Sequence, residues 1–313
     1  MTEPTTVTRT AVLGAGTIGA SWTAWFLARG MSVEVWDPRP EAADYVRRYV
    51  ADVWPAMARI GMVAGASPDA WRFHASPESA VATVQFVQEN APERLDVKRD
   101  LYARIDATLP SDAILASSTS GLIMSDMQAG FLSAPRFAVG HPFNPPHLIP
   151  LVEVVGGKDT APETVRWCLD FYNHIGKRAI HIRKEAKGHL ANRLQAALWR
   201  EAISAVVSGL ATVEDVDTAI SAGPGLRWAA MGPHMTFHLG GGEGGITHLL
   251  SQFRQPFTDW WATMESPHLT EDVCRQIIDG VADEANGKSI AELAAERDAV
   301  LLPLLELKAK QGR

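Results

Sequence analysis

A glycine-rich motif lies close to the start of the chain: Gly14-Ala15-Gly16-Thr17-Ile18-Gly19. An apolar stretch at residues 10–13 precedes it, and a helical pattern at residues 17–29 follows it and ends at Gly30. In such a strand–turn–helix unit the first glycine permits the tight turn, the second lets a pyrophosphate approach the backbone, and the third lets the helix pack on the strand. The motif therefore predicts a dinucleotide site, with the phosphates at the N-terminus of the helix.

A carboxylate follows this motif at the spacing expected for recognition of a ribose. Asp37 comes 18 residues after Gly19, directly after a second predicted strand at residues 33–36. Its carboxylate can accept hydrogen bonds from both ribose hydroxyls and would repel a 2′-phosphate, which favours NAD over NADP. Arg39 lies close by in the sequence and leaves NADP as an alternative. The predicted cofactor is NAD, bound by Gly14, Gly16, Thr17, Ile18, Gly19 and Asp37.

Strand and helix patterns alternate through the first part of the chain and then give way to helices alone. Further strands are predicted at residues 84–87, 113–116, 137–139, 151–155 and 179–182, and a charged helix at residues 41–60. This alternation predicts an α/β fold with a Rossmann-type, doubly wound parallel sheet. From residue 188 onward the helical patterns lie at residues 190–208, 213–222, 270–286 and 290–310.

Two domains are therefore expected. Residues 1–186 would form the NAD-binding domain, and residues 187–313 an all-helical C-terminal domain for substrate binding and dimerisation. The glycine cluster at residues 240–245 is too short for a linker and predicts a close-packed loop.

The composition excludes several classes of function. Acidic residues outnumber basic ones by 36 to 29, for a formal net charge of −7, so the chain lacks the positive field that nucleic acid requires. Its two cysteines cannot form a disulfide framework, which suits the reducing cytoplasm. An uncharged run at residues 11–28 imitates a membrane span, but the glycines within it favour the strand–turn–helix interpretation. The expected partner is a small-molecule substrate, with neither nucleic acid nor membrane.

His141 is the strongest candidate for a catalytic base. It directly follows an apolar strand, where the ligand sites of such sheets lie. The stiff turn Pro142-Phe143-Asn144-Pro145-Pro146 comes next, which we expect to hold the ring without burying it. Oxidation of an alcohol by hydride transfer needs a base for the hydroxyl proton, and the pKa of histidine suits this role. Glu153, within a buried strand, needs a partner, and an imidazole N–H would satisfy it and fix the tautomer.

Several stretches, in order through almost the whole chain, together resemble the 3-hydroxyacyl-CoA dehydrogenase family. They are residues 93–98, 117–122, 140–146, 151–155 and 192–194. The family usually has asparagine where this chain has Ser118. The resemblance implies that His141 is the general base and that Glu153 is its orienting partner.

The same resemblance implies roles for four further residues. Ser120 and Asn192 would contact the reacting oxygen or the substrate, although both residue types also serve as helix caps. Glu93 and Lys98 would approach the nicotinamide end of NAD, and an ordinary surface ion pair is an equal alternative for them.

The region that serves CoA in the family is poorly suited to it here. Residues 41–92 contain four arginines and no lysine, so their attraction for a polyanion is weak. Residues 225–245 and 198–202 resemble the L-carnitine dehydrogenase branch of the family, whose members oxidise carnitine with NAD. A trimethylammonium group binds to aromatic faces, and carboxylates add attraction. The expected substrate-binding residues are Asn144, Trp199, Trp228, Phe237 and Glu243, with Arg193, Arg200 or Arg227 for a substrate carboxylate.

The resemblance, together with these features, implies NAD-dependent oxidation of the 3-hydroxyl of L-carnitine, or of a similar small 3-hydroxy acid, to the 3-keto acid. The alternatives are an L-gulonate 3-dehydrogenase, a short-chain 3-hydroxyacyl-CoA dehydrogenase, an imine reductase and a non-catalytic NAD-binding protein. His234 and His238 have HxxxH spacing without the glutamate of the zinc motif, so no metal is expected. The resemblance also implies a homodimer formed through the helical domain.

Overall fold

The structure, a computed structural model, describes residues 1–311 and contains two compact units. The first comprises Met1–Asn192 together with residues 298–311, and the second comprises Arg193–Arg297. Within the first unit, Leu302 lies in the core, and Arg59 pairs with Glu306 at 2.9 Å. The end of the chain therefore packs with the sheet domain.

Within the described residues, the first unit is built on one sheet of eight strands. The strands are β1 Arg9–Leu13, β2 Ser32–Trp36, β3 Trp71–Phe73, β4 Phe86–Glu89, β5 Ile114–Ser117, β6 Phe137–Pro142, β7 Leu151–Gly156 and β8 Arg178–His181. Their order across the sheet is β3-β2-β1-β4-β5-β6-β7-β8, and neighbours are parallel except for β6 and β7. The predicted Rossmann-type, doubly wound sheet is confirmed in this mainly parallel arrangement.

The antiparallel β6–β7 pair corrects the expectation of a fully parallel sheet. Parallel neighbours need a connection of about a dozen residues or more. The connection here spans only residues 143–150, so the chain must turn back beside itself. The resulting register sets His141 directly opposite Glu153, on the same face of the sheet.

Helices accompany the strands of the first unit and make up the second. Those before β8 are α1 Thr17–Ala28, α2 Ala42–Ile60, α3 Pro77–Val81, α4 Leu95–Ile105, α5 Met124–Gln128 and α6 Pro162–His174. Those after it are α7 Ala191–Val207, α8 Val213–Ala222, α9 Pro224–Ala230, α10 Pro233–Gly240, α11 Gly245–Thr263, α12 Glu271–Ala285 and α13 Ile290–Lys310. The predicted all-helical C-terminal region is confirmed.

Apolar side chains pack against both faces of the sheet. Val12 and Phe86 belong to one core cluster, and their strand neighbours Leu13 and Val87 belong to the other. Because successive side chains of a strand point to opposite faces, a doubly covered sheet needs strands that are apolar at nearly every position. This requirement explains why central strands such as β1 appear in the sequence as short continuous apolar runs.

Three strands differ from the sequence prediction by more than one residue at an end. β6 ends three residues later than the strand predicted at residues 137–139, so His141 lies within β6 and not after it. β3 was not predicted, because it is a three-residue strand at the edge of the sheet. β4 begins two residues later than the predicted strand and ends with Gln88 and Glu89, which are polar yet fully buried. Hydrogen bonds satisfy these two side chains, as described below, so their burial cannot be recognised from hydrophobicity.

The predicted close-packed glycine loop joins α10 to α11 in the second unit and is confirmed. A Cβ at Gly241 would lie 1.8 Å from the carbonyl oxygen of Gly245. His238 lies against the same turn, and its Nδ1 accepts a hydrogen bond from the Ile246 N–H at 3.1 Å. The helices α9, α10 and α11, for which no helix was predicted, surround this loop in the sequence.

The uncharged run at residues 11–28 forms part of β1, the glycine turn and α1. In the part of the chain that the structure describes, no helix combines the length and apolar character needed to cross a bilayer. The strand–turn–helix interpretation of this run is thus the correct one.

Candidate active site

The glycine turn after β1 has the shape that a bound pyrophosphate requires. Gly14 has a φ of +88°, a left-handed conformation that favours glycine. A Cβ at Gly19 would lie 1.9 Å from the Gly14 carbonyl oxygen, so α1 packs on β1 only because no side chain is present there. A Cβ at Gly16, by contrast, would meet no atom within 4 Å. The turn is therefore open beside the N-terminus of α1, where phosphates are favoured.

Asp37 ends β2 with a carboxylate that the protein holds in place. Its Oδ2 accepts a hydrogen bond from the Ala15 N–H at 2.8 Å, and its Oδ1 accepts from the Arg39 N–H and Nε–H at 3.0 Å each. Burial raises the pKa of Asp37, but the hydrogen bonds from Arg39 and Ala15 outweigh burial and hold the pKa below its ordinary value. The carboxylate is thus ionised and available to ribose hydroxyls.

A cavity of about 670 Å³ adjoins Asp37 and the glycine turn. It is lined by residues that include Gly14, Gly16, Trp36, Asp37, Pro38, Asn90 and Arg104. Its size lies in the range of small-molecule sites, and its walls combine apolar surface with a few polar groups. The open glycine, the helix N-terminus and the ribose carboxylate all border this space, so the residues present fit NAD.

His141 and Glu153 form a buried pair between β6 and β7. The distance from His141 Nδ1 to Glu153 Oε2 is 2.8 Å. Because a carboxylate only accepts, the hydrogen lies on Nδ1, and Nε2 of the neutral ring carries the free lone pair. His141 is only 5% exposed, so the expectation that its ring stays unburied is wrong. The rings of Phe143 and His189 cover it, with centroids 5.3 and 5.1 Å away.

The second oxygen of Glu153 is bound to the start of α7. Glu153 Oε1 accepts hydrogen bonds from the backbone N–H groups of Leu190 and Ala191, at 2.9 and 2.8 Å. Burial raises the pKa of Glu153, but the hydrogen bonds from His141 and from these two N–H groups outweigh burial. The pKa therefore lies below its ordinary value. The carboxylate is therefore ionised, and both of its oxygens are fixed. Such a group can orient an imidazole and stabilise the imidazolium that forms on proton transfer.

Glu93 organises the loop after β5, which carries Ser120. Its Oε1 accepts hydrogen bonds from Thr119 Oγ1 at 2.7 Å, from the Ser120 N–H at 2.9 Å and from the Gly121 N–H at 2.8 Å. Ser120 Oγ lies 3.2 Å from the same oxygen. Burial raises the pKa of Glu93, but the bond from Thr119 and the charge of Lys98 outweigh it and bring the pKa below its ordinary value.

Lys98 is buried, which rules out the alternative of an ordinary surface ion pair with Glu93. Its Nζ lies 2.7 Å from Glu89 Oε1 but 3.9 Å from Glu93 Oε2, and its side chain is 1% exposed. The other Glu89 oxygen accepts from the Tyr102 hydroxyl at 2.8 Å and from Ser117 Oγ at 2.6 Å. Lys98 thus compensates a buried carboxylate at the end of β4, as burial of a charge requires.

Ser118 joins a partly buried polar network that links the nucleotide side of the sheet to β6. Its hydroxyl donates to Asn90 Oδ1 at 2.7 Å, and Gln88 Nε2 donates to Ser118 Oγ at 2.9 Å. Gln88 Nε2 also donates to the carbonyl of Gly140 at 3.2 Å, and the Tyr172 hydroxyl donates to Gln88 Oε1 at 2.6 Å. The network ends at the residue directly before the candidate base.

His189 contacts the candidate base, although nothing in its sequence surroundings indicates this. It is 3% exposed, and its Nε2 lies 3.0 Å from the carbonyl oxygen of Thr119. Neither partner lies near it in the sequence, and a lone histidine in a loop gives no periodic signal. Only the folded chain brings it to His141.

The remaining predicted residues are distributed over both units. Asn192 lies in α7, next to Ala191, whose N–H binds Glu153. Asn144 is exposed in the turn after β6, where it precedes Pro145 through a cis peptide bond. The second unit holds the other substrate candidates, which are Trp199 in α7, Trp228 in α9, Phe237 in α10 and Glu243 in the turn before α11. All four are exposed, and Phe237 packs edge-on against Phe257 at 5.4 Å.

Comparisons with known proteins cover nearly the whole chain. Residues 9–186 match the model of the 3-hydroxyacyl-CoA dehydrogenase NAD binding domain, and residues 188–276 match that of its C-terminal domain. An L-carnitine dehydrogenase of Streptomyces griseus is 50% identical over 310 residues, which are 99% of this chain and 92% of that protein. Another, of Bacillus cereus, is 42% identical over 304 residues, covering 97% and 93% of the two chains.

A solved structure of similar fold belongs to 5-formyl-3-hydroxy-2-methylpyridine 4-carboxylic acid 5-dehydrogenase, described as an NAD-dependent dismutase. Its TM-score is 0.83 at 28% identity, and the match covers 98% of this chain and 99% of the other. The similarity therefore extends over both units of the chain.

Proposed function

The chain belongs to the 3-hydroxyacyl-CoA dehydrogenase family, and from that membership we propose that it oxidises the 3-hydroxyl group of L-carnitine, or of a similar small 3-hydroxy acid, to a ketone. It is an NAD-dependent oxidoreductase that acts on CH–OH groups, as the sequence predicted. The observation that carries the proposal is the His141–Glu153 pair, in a chain half identical to an L-carnitine dehydrogenase over nearly its full length.

In the proposed mechanism His141 Nε2 takes the proton of the substrate hydroxyl. The Nδ1–H bond to Glu153 orients the ring for this step, and the ionised carboxylate stabilises the imidazolium that results. When bound, NAD would accept the hydride from the carbon atom that carries this hydroxyl group. Ser120 and Asn192 are proposed to hold the reacting oxygen.

The cofactor side of the mechanism involves residues of the first unit alone. Gly14, Gly16, Thr17, Ile18 and Gly19 are proposed to hold the pyrophosphate, with Asp37 on the ribose. Glu93 is proposed to act at the nicotinamide end, where it also fixes the loop of Ser120. Lys98 is proposed to act there through its positive charge, 3.9 Å from Glu93.

Acyl-CoA is the less favoured substrate, because the relevant segment offers little free positive charge. Among the four arginines of residues 41–92, Arg47 pairs with Asp44 at 2.5 Å and Arg59 pairs with Glu306 at 2.9 Å. Paired arginines contribute less to the field that attracts several phosphates. A small zwitterion needs no such field.

For the trimethylammonium group of carnitine we propose Trp199, Trp228, Phe237 and Glu243 of the second unit, with Asn144 as a further substrate contact. Aromatic faces and a carboxylate are the groups that attract a quaternary ammonium ion. Both cysteines are free thiols, and we propose the cytoplasm as the compartment because thiols are kept reduced there.

The test is NADH formation by the purified protein with L-carnitine, D-carnitine, L-gulonate and 3-hydroxybutyryl-CoA, measured side by side. Turnover of L-carnitine well above that of the other three is the expected result. Preference for L-gulonate or for the CoA ester would contradict the proposed substrate but not the proposed type of reaction. No NADH with any of the four would reject the proposed function.

A further inference from the structure

His189 is buried beside the candidate base with one ring nitrogen unused. Its ring centroid lies 5.1 Å from that of His141, at an angle of 43° between the rings. Its Nε2 lies 3.0 Å from the Thr119 carbonyl oxygen. The residue is only 3% exposed, and its Nδ1 is buried, yet Nδ1 has no hydrogen-bond partner within residues 1–311.

The hydrogen-bond partner of Nε2 determines whether Nδ1 carries a hydrogen. A carbonyl oxygen can only accept, so the ring hydrogen lies on Nε2, and Nδ1 presents a lone pair. Burial lowers the pKa of His189, and the titratable side chains that influence it are His141, Glu153 and Glu93. The lowered pKa favours the neutral ring, in which Nδ1 can accept a hydrogen bond.

The backbone at His189 supports a specific role. Its φ is +48°, a left-handed conformation that is unusual for a residue other than glycine and that concentrates at functional sites. The two residues that follow, Leu190 and Ala191, donate their N–H groups to Glu153. His189 thus lies where the loop of Ser120, the candidate base and the Glu153 carboxylate are all joined.

We propose that Nδ1 of His189 accepts a hydrogen bond from a hydroxyl group in the active site, either that of the substrate or that of a water held beside His141. An unpaired buried acceptor is rare in folded proteins, and a ligand or an ordered water is the usual partner. The acceptor holds the hydroxyl in place beside Nε2 of His141, which takes the proton. This inference rests on the proposed function for the identity of the base.

Two substitutions test the roles of the two ring nitrogens of His189 separately. An Asn side chain ends at the distance of Nδ1, and its amide oxygen keeps an acceptor there while the bond to Thr119 is lost. A Gln side chain reaches the position of Nε2 and keeps the bond to Thr119 while the acceptor at Nδ1 is lost. Asn also tolerates the left-handed backbone, so His189→Asn is expected to fold. Affinity for NAD and thermal unfolding serve as controls for both variants.

We expect His189→Gln to lower kcat/KM by about fivefold or more, which is the loss of one hydrogen bond, and His189→Asn to retain more activity than His189→Gln. A rise in KM alone identifies the substrate hydroxyl as the donor, and a fall in kcat at unchanged KM identifies a water. Activity of His189→Gln within twofold of the wild type would overturn the proposal.

A second measurement does not depend on turnover. In protein labelled with ¹⁵N-histidine, the His189 signals are assigned by their absence in His189→Asn. If Nδ1 is unprotonated and hydrogen-bonded in the free protein, the donor is a water. If this hydrogen bond forms only when NAD and substrate are added, the donor is the substrate hydroxyl. An unbonded or protonated Nδ1 in both states would overturn the proposal. If the wild type is inactive with all four substrates, the proposed function fails, while the spectrum of the free protein still tests Nδ1.

Discussion

A single imidazole carries the proposed proton transfer, and replacing it should separate catalysis from cofactor binding. His141→Ala is expected to lower kcat by about 10²- to 10⁴-fold, the usual contribution of a general base. Affinity for NAD should hardly change, because the glycine turn and Asp37 bind the cofactor without His141. Steady-state kinetics and NAD titration by tryptophan fluorescence measure the two effects. Activity within a few-fold of the wild type would remove His141 from the role of base.

Asp37 is expected to set the preference for NAD. Asp37→Ala removes two charge-assisted hydrogen bonds to the ribose and should weaken NAD binding by about 10- to 100-fold. The affinity for NADP should fall much less, because the 2′-phosphate of NADP no longer meets a carboxylate and Arg39 is freed from its 3.0 Å bond to Asp37. Calorimetry with both cofactors checks the difference. Equal losses for NAD and NADP would show that Asp37 does not contact the ribose.

Single residues were predictable where the chemistry is local and not where it depends on distant partners. The glycine turn and Asp37 lie within one strand–turn–helix–strand segment, so their spacing was informative. Lys98 was located but its surroundings were not, because its ion pair with Glu89 depends on the fold. His189 was missed entirely, because its partners His141 and Thr119 are far away in the sequence.

At the scale of elements, Glu153 ties the β6–β7 hairpin to the start of α7, and this tie should depend on pH. The folded-state pKa of Glu153 lies below 4.5, so its ionised form adds stability above that value, which is lost as the pH falls through the folded-state pKa. Urea unfolding at neutral pH and below pH 4.5 is the measurement. The free energy of unfolding should fall more on acidification in the wild type than in Glu153→Gln. An equal fall in both would contradict the low pKa.

The packing of α6 against β6 depends on a glycine. A Cβ at Gly140 would lie 2.1 Å from the Tyr172 hydroxyl oxygen and 2.8 Å from Cζ of that ring. Gly140→Ala should therefore displace Tyr172 from Gln88 and lower the free energy of unfolding by about 1–3 kcal/mol, as overpacking does. Equilibrium unfolding in urea measures the loss. Adding Tyr172→Phe should restore part of the stability, and no loss in Gly140→Ala would show that the ring moves freely.

The elements themselves were predictable in proportion to their hydrophobic periodicity. The central strands and α1 are buried on both sides, so their apolar runs identified them. The antiparallel direction of β7 did not follow from its own residues, because it depends on the length of the preceding connection. The short helices α9 and α10 lie in a part of the chain with little burial, where no periodic apolar face has to form.

At the scale of the whole molecule, large apolar side chains remain exposed mainly in the second unit. They include Leu194, Leu210, Leu226, Leu239, Trp260, Trp261 and Ile278. Such an accumulation is typical of an interface, and we expect a homodimer formed through these helices. Sedimentation equilibrium should give twice the mass of one chain at micromolar concentration. The mass of a single chain under those conditions would reject the dimer.

The three glycines of the nucleotide turn differ in a way that has a genetic consequence. Gly14 and Gly19 are crowded by backbone atoms, so a mutation at either damages the fold together with cofactor binding. Gly16 faces open space, so an alanine there is expected to leave the fold intact and to obstruct the proposed approach of the pyrophosphate. Among these three codons, only that of Gly16 is therefore expected to give missense alleles that lose cofactor binding while the chain still folds.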